Sequence, residues 1–450
     1  MSNFRPIDRD TAFLFPPSVD EWLPQRHLAR YVVEVIEGLD LSEMVKTYRG
    51  SGSASYHPAM LLALLIYGCA TKVFSSRAIE RATYDSVAFR FIAANEHPDH
   101  DTIATFRKRF LPQIEDLFVE VLRLARTMGM LKLGTVALDG TKIHANASRH
   151  SALSYGHAKK LEKQLKREVQ QLLKLAEQAD AAAIPDGMSI PEELERRETR
   201  LAAIAEAKQK IEARVKEQQN AEYQQKLAAR AEKEKRTGKK PSGRPPAPPS
   251  GKVEDKEQIN LTDEDSRIMP VAGGGFDQCY NAQAAVATGS MLIVANGLTQ
   301  AANDKQQLRP LIDKLKDLPK ELGRVECTLA DSGYLSEANV EHCVAAQIEP
   351  LIAMKRERHN ARWKERFAED PKAPPASANA MEQMAHRLKT KRGKELYALR
   401  KQTPEPVFGI IKSVMGFRQF LLRGFENAKG EWNLVTMSWN IRRMFALSAA

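Results

Sequence analysis

The sequence predicts an α/β protein: a three-layer domain of mixed strands and helices, interrupted by an inserted helical hairpin or coiled coil and preceded by an all-helical domain. Three observations carry that expectation. Helical apolar periodicity fills the first 130 or so residues, short buried-strand patterns end in acidic residues near 139 and 331, and a long Ala-, Glu-, Lys- and Gln-rich stretch separates those two patterns.

At 450 residues the chain is long enough for two or three cores. No run approaches the roughly 18 apolar residues that span a bilayer, the strongest candidate being the short run from Met60 to Tyr67. The first ten residues carry Arg5, Asp8, Arg9 and Asp10 where a secretory signal needs an apolar centre. The expected location is cytoplasmic and nucleoid-associated, with no membrane partner. Cys69, Cys279, Cys327 and Cys343 are scattered, without a C-x-x-C pair, and read as reduced core residues. The formal charge of +11 is concentrated: residues 351–450 hold 20 Lys and Arg against 9 Asp and Glu, while the first 350 hold 48 of each. A basic C-terminal part beside a neutral remainder points to a polyanion partner, because clustered cations release phosphate counterions.

Residues 1–130 form the predicted helical domain, with a DNA-binding role assigned to it. Leu61, Leu62, Leu64, Leu65 and Ile66 predict a helix after Pro58, a second is expected over residues 76–94, and a third over 101–128 with Asp101 as its N-cap. Two helices joined by a short polar turn suit a helix-turn-helix, which would set Arg107, Lys108 and Arg109 near a DNA backbone. The segment His97-Pro-Asp99-His100-Asp101 has the composition of a metal site but reads as turn and capping chemistry.

Gly134-Thr-Val-Ala-Leu-Asp139-Gly140 is a buried-strand pattern closing on an acid and a glycine turn. From residue 155 to 235 the chain reads as the inserted hairpin, broken at Ile184-Pro185-Asp186-Gly187. Leu161, Leu165, Leu172 and Leu175 stripe its first arm, and Leu194, Leu201, Ile204, Ile211 and Val215 its second. Residues 236–251 form a Pro-rich linker. The domain to be completed by residues 131–154 and 252–450 then resumes. A hairpin pairs 276–288 with 291–298, a helix covers 304–318, a strand 326–330 ends at Asp331, a helix covers 336–346 and a strand 349–354, and a late helix begins near Pro404-Glu405-Pro406.

Asp139 or Asp331 alone is an ordinary turn residue. In combination they matter, because neighbouring strands put both carboxylates at one sheet edge and the late helix brings Glu405 to them. Three convergent carboxylates suit a hard divalent cation, Mg²⁺ or Mn²⁺, and two such ions activate an attacking oxygen and stabilise a departing one. His144 lies five residues past Asp139 and reads as a solvated or core histidine. Trp363, Trp432 and Trp439 suit base stacking, although the apolar surroundings of Trp432 and Trp439 favour core packing.

At these residues the chain resembles a known family. Ala137-Leu-Asp139-Gly-Thr-Lys142, Thr328-Leu-Ala-Asp331-Ser-Gly333-Tyr334 and Glu405-Pro-Val-Phe-Gly409-Ile-Ile-Lys412 look like the three acidic motifs of insertion-sequence DDE transposases, most closely the group named after insertion sequence eleven eighty-two. Gly274-Gly-Phe276, Tyr280-Asn-Ala-Gln-Ala-Ala285, Gln300-Ala-Ala-Asn-Asp304, Trp432-Asn-Leu-Val and Asn440-Ile-Arg-Arg443 add to the likeness. So do His57-Pro58 and Asp101-Thr-Ile-Ala-Thr-Phe-Arg107 in the N-terminal part. The resemblance implies a ribonuclease-H-like catalytic domain, two Mg²⁺ ions (or Mn²⁺) held by Asp139, Asp331 and Glu405, and double-stranded DNA as partner, both as terminal inverted repeats and as target. It also implies a homodimer on paired ends, with the inserted hairpin as a candidate contact.

A Tyr, Arg, Glu and Lys signature in that family would fall on Tyr397, Arg400, Glu405 and Lys412, with Tyr397, Arg400 and Lys412 contacting DNA phosphate. Arg400 stands one residue further from Glu405 than the usual pattern, so Lys401 occupies the expected offset and shares the phosphate-contact assignment. Two other readings stand beside this one: a non-catalytic DNA-binding or scaffolding protein, and a stand-alone metal-dependent nuclease.

Overall fold

The computed structural model describes residues 18–48, 55–179, 190–238, 240, 242–354, 370–375 and 377–448. The chain divides into two compact units, one made of Met1–Asn146, Met269–Ala272 and Cys279–Ala450, the other of Ala147–Ile268 and Gly273–Gln278.

The first unit begins with helices α1 (Val19–Trp22), α2 (Leu28–Glu37), α3 (Ser42–Lys46), α4 (Pro58–Ala70), α5 (Ser76–Asp85), α6 (Val87–Ile92) and α7 (His100–Thr127). Pro58 opens α4 at a position where its missing N–H costs nothing, and the His57 ring accepts from Ala59 N. The helix expected over 76–94 is two, because Ser86 adopts an extended conformation between them. The N-cap of α7 is Asp99, not Asp101. Asp99 Oδ1 accepts from Thr102 N at 2.8 Å, and Asp101 lies exposed in the first turn. His97 meets Thr83 Oγ1 at 3.0 Å and stacks on Tyr84, while His100 meets Glu80 at 2.8 Å. The acid- and His-rich segment is thus occupied by capping and local pairing.

The sheet of this unit is built from β1 (Thr135–His144), β5 (Phe276–Ala287), β6 (Ile293–Thr299), β7 (Cys327–Ala330) and β8 (Glu349–Ile352), and β4 (Arg267–Pro270) adds a sixth strand. β5 runs antiparallel to both β1 and β6, with Asp139 opposite Ala284, whereas β7 is parallel to β1 and to β8. The spatial order β6-β5-β1-β7-β8 therefore sets the two strands that carry Asp139 and Asp331 side by side.

Helices α10 (Leu308–Lys316), α11 (Glu337–Ala345), α12 (Ala380–Arg387), α13 (Lys391–Gln402), α14 (Pro404–Ser413) and α15 (Phe425–Ser448) complete the unit. Side chains alternate along a strand, so Ala137 and Asp139 share one face of β1. That face is covered by α13, whose Leu396, Tyr397 and Leu399 pack on Ala137, Cys327, Leu329 and Leu351.

The last helix, α15, is buried on nearly every side and packs against α2, α4, α7 and β6. Its polar side chains replace water for the β5–β6 hairpin. Asn440 exchanges two 2.8 Å bonds with the backbone of Ile293, Asn296 donates to Thr436, and Trp432 and Trp439 donate to Gln283 O and Met291 O. Both tryptophans are core residues, and Trp363 lies outside the described residues. Gly430 permits close approach to α7, since a Cβ there would lie 2.8 Å from Leu111 Cβ.

The second unit centres on α8 (Tyr155–Ala179) and α9 (Ile190–Thr237), which pack together beside a short ladder of β2 (Ala152–Ser154) and β3 (Gln258–Asn260). Leu165, Ile204, Ile211 and Val215 form its core with Tyr155 and Ile259. Links from Tyr155 to Glu212, Glu162 to Lys208 and Glu168 to Arg197 run in opposite chain directions, which is an antiparallel pair. Leu172 is buried, but Leu175 is 49 % exposed and drops out of the expected stripe. The break expected at residues 184–187 lies outside the described residues.

Glu431 on α15 is 3 % exposed and accepts from Leu421 N and Leu422 N, each at 3.0 Å. Burial pushes its carboxyl from the ordinary 4.5 up to about 7, against the lowering effect of those two N–H donors. Folding therefore takes up a proton here, and the stability this contributes is present below about pH 4.5 and lost as pH rises through about 7. Glu431→Gln should remove that component. Urea titrations of both proteins from pH 5 to 8 should show their stability difference changing by roughly 2 kcal/mol, and parallel curves would contradict the assignment.

Candidate active site

Asp139 projects from the middle of β1, and its side chain is 17 % exposed. Asp331 follows the last residue of β7 and caps the turn at Ser332–Tyr334, with Oδ1 accepting from Gly333 N at 2.9 Å. Glu405 stands in the first turn of α14 behind Pro404, where the helix dipole favours an anion. All three carboxylates meet one group. Arg400, in the last turn of α13, is 11 % exposed and places Nη2 3.5 Å from Asp139 Oδ1 and 3.6 Å from Asp331 Oδ2, with Nη1 3.5 Å from Glu405 Oε1.

The sequence-expected triad is thus brought together, around a guanidinium. Arg400 Nε is buried without a hydrogen-bond partner among the described residues, while Nη1 donates to Glu405 and Nη2 to Asp139, each at 3.5 Å. Lys401, one residue on, is exposed. The helix break at Thr403, with φ −116° and ψ −76°, separates α13 from α14 and lets Arg400 and Glu405 face each other across it. Tyr397 packs its ring on the sheet and donates to Ala330 O at 3.3 Å. Lys412 ties α14 to β1 by donating to Thr141 Oγ1 at 2.5 Å and Lys142 O at 2.8 Å, and burial lowers its pKa.

Burial raises the Asp139 carboxyl to about 6. Arg400 and the Gly140 N–H pull it down, and Asp331 and Asp304 add to the rise. Asp304 is a fourth acid that the triad reading leaves out. It accepts from Asn281 Nδ2 at 2.6 Å and Gln283 Nε2 at 2.7 Å, with Lys142 Nζ at 3.9 Å. Tyr334, fully buried, donates to Gln283 Oε1. This network lies against Gly140, where a Cβ would come within 2.2 Å of Gln283 Nε2, so only glycine fits beside Asp139. Asn281 and Gln283 alternate in the buried, otherwise apolar stretch from Cys279 to Ala287 of β5, a pattern that signals buried polar partners.

The remaining candidates lie elsewhere. His144 closes the far end of β1, bonded through its backbone to Arg418 and Phe420. Arg107 donates to Phe74 O, and Arg109 donates to Thr47 O and lies over Tyr48 and Phe110. Lys108 is exposed.

The donor set is all carboxylate oxygen, the chemistry that suits Mg²⁺ or Mn²⁺. Among the described residues no three acidic, histidine or cysteine side chains are close enough to close a metal shell as they stand. The Arg400 guanidinium stands among the three carboxylates.

Comparison with known families gives two matches. A family model for Transposase DDE domain matches residues 256–441, which include Asp331 and Glu405, with Asp139 ahead of the match. A model for Transposase domain (DUF772) matches residues 17–109, covering most of the N-terminal helices. No curated protein and no solved structure matches the chain.

Replacing Arg400 by glutamine should expose the repulsion it offsets. In chelator at pH 7 the variant should lose about 2 kcal/mol of stability by urea titration. Asp139 titrates above its ordinary 3.8, so the penalty of its charge is absent at low pH and grows as pH rises through about 6. The loss should accordingly shrink at pH 5. An equal or absent loss at both pH values would contradict the counter-ion role.

Proposed function

The chain belongs to the DDE transposases of insertion sequences, enzymes that cleave DNA and transfer strands, and we propose that Asp139, Asp331 and Glu405 are its catalytic residues in a ribonuclease-H-like domain. The observation that carries this reading is the meeting of three carboxylates from β1, the end of β7 and the start of α14 on one cation. The strand order β6-β5-β1-β7-β8, with only β5 reversed relative to both its neighbours, supports the ribonuclease-H-like assignment.

In this reading the enzyme cuts DNA at the terminal inverted repeats of its element and joins the ends to target DNA. It acts as a homodimer on paired ends. Asp139, Asp331 and Glu405 would hold two divalent ions, Mg²⁺ or Mn²⁺, whose chemistry is to acidify an attacking water or 3′-hydroxyl and to stabilise the departing oxygen.

The protein's own groups do the rest. Asp139, half-buried on β1, forms one wall of the site, and Gly140 keeps the backbone beside it narrow. Arg400, leaving the acids, is positioned to contact a phosphate near the cut, and Lys401 and Lys412 add positive charge along the same two helices. Tyr397 holds α13 on the sheet, so that the arginine is presented from a fixed helix. Arg107, Lys108 and Arg109 belong to a weaker DNA contact from the N-terminal helices.

Asp139→Asn keeps the shape of the site and removes its buried charge. With duplexes carrying the element's own ends, it should lower cleavage and strand transfer about a thousandfold or more while leaving duplex binding within about twofold. Gel analysis of products alongside a binding titration checks both. Cleavage retained in the variant would remove the catalytic assignment, and cutting without joining by the native protein would favour a nuclease.

A further inference from the structure

The stretch read from sequence as a Pro-rich linker is docked along α9. Arg230, on α9, donates to Gly243 O at 2.8 Å and to Arg244 O at 3.2 Å. Eleven residues earlier on the same helix, Gln219 accepts from Gly251 N and donates to Lys252 O, both at 3.0 Å. Between these two fastenings Pro246 and Pro249 are half-buried, while Arg244, Pro245, Ala247 and Pro248 are exposed. Sides that repeat every third residue belong to a polyproline II arm. Pro245, Pro246, Pro248 and Pro249 also lack a backbone N–H, so the exposed edge of the arm offers few donors of its own.

Charge singles out this part of the second unit. Residues 226–252 contain nine Lys and Arg against two Glu. Arg244 is exposed, and its guanidinium has no ion pair or hydrogen bond among the described residues, although the backbone beneath it is clamped. An arginine projecting from a narrow, pre-extended, N–H-poor arm in a basic field suits a particular partner.

Resting on the reading that the chain acts on duplex DNA, we propose that this arm binds the minor groove of A·T-rich duplex, with Arg244 as the inserted side chain. The major groove, about 12 Å wide, is filled by a helix or a two-stranded ribbon, and the arm is neither. The minor groove, about 6 Å wide, takes a single extended segment or a lone arginine. A·T tracts narrow that groove and deepen its negative potential, which draws a guanidinium in. The guanine amino group, by contrast, stands on the groove floor and obstructs it. Proline restraint and the Arg230 clamp reduce the entropy lost when the arm is ordered on DNA.

The test uses full-length protein in chelator and fluorescence anisotropy with three short duplexes: A·T-rich, G·C-rich, and the G·C sequence with inosine for guanine. Inosine·cytosine lacks the amino group and so resembles A·T in the minor groove while resembling G·C in the major. Native protein should bind the A·T and inosine duplexes about tenfold more tightly than G·C. Arg244→Ala should bring the first two down to the G·C level, and Arg244→Lys, which keeps the charge but not the planar fork, should recover only part of the preference.

Equal binding to all three duplexes, an inosine duplex that behaves like G·C, or a preference that survives Arg244→Ala would each overturn the proposal. Metal-dependent cleavage of the element's ends, measured on the same preparation, separates the two readings. Cleavage without A·T preference removes the arm's role alone, and preference without cleavage removes the catalytic reading alone.

Discussion

Three carboxylates cannot be brought within one site unless something positive stands among them, and much of this fold follows from that demand. Burial raises the Asp139 carboxyl to about 6, and the nearby charges of Asp331 and Asp304 add to that rise. The compensating group is a single guanidinium that meets Asp139, Asp331 and Glu405 at 3.5 to 3.6 Å. Its position depends on the apolar side of α13, which seats on Ala137, Leu329 and Leu351, and on Thr403, which breaks the helix between Arg400 and Glu405. The parallel pairing of β1 with β7 supplies the other two acids.

Rigidity comes from both faces of the sheet. Behind Gly140, the Asp304, Asn281, Gln283 and Tyr334 network satisfies polar groups that would otherwise be costly inside a central strand. Behind β6, α15 completes the hairpin with Asn440, Thr436 and Trp439, and Glu431 fastens the segment that follows α14. Lys412 then ties α14 to β1. These ties brace the strand that carries Asp139 and the helix that carries Glu405.

The acids at 139 and 331 were legible only in combination, since each alone reads as a turn residue, and Pro404 announced the helix of Glu405. The glycine turn expected after Asp139 is absent, because β1 stays paired with β5 through Gly140 to His144 and carries Asp139 at its middle. The choice between Arg400 and Lys401 was not legible. Counting offsets assumes one continuous helix, and the break at Thr403 changes the phase between the two segments. Asp304 escaped because its partners lie about twenty residues away on β5, a distance no local pattern spans. Asp99 displaced Asp101 as the α7 cap within the ordinary uncertainty of helix ends. The Pro-rich segment was read as a linker, whereas α9 runs on to Thr237 and the segment's attachment depends on Arg230 and Gln219 of that preceding helix.

Iron-generated hydroxyl radicals offer the most direct measurement of whether these acids share divalent ions. With Fe²⁺ in place of Mg²⁺ on the full-length chain, and hydrogen peroxide with ascorbate added to generate the radicals, main-chain scission is predicted within a few residues of 139, 331 and 405, and excess Mg²⁺ should suppress it. Scission confined to other segments, or scission at these three that Mg²⁺ does not suppress, would contradict a shared metal site.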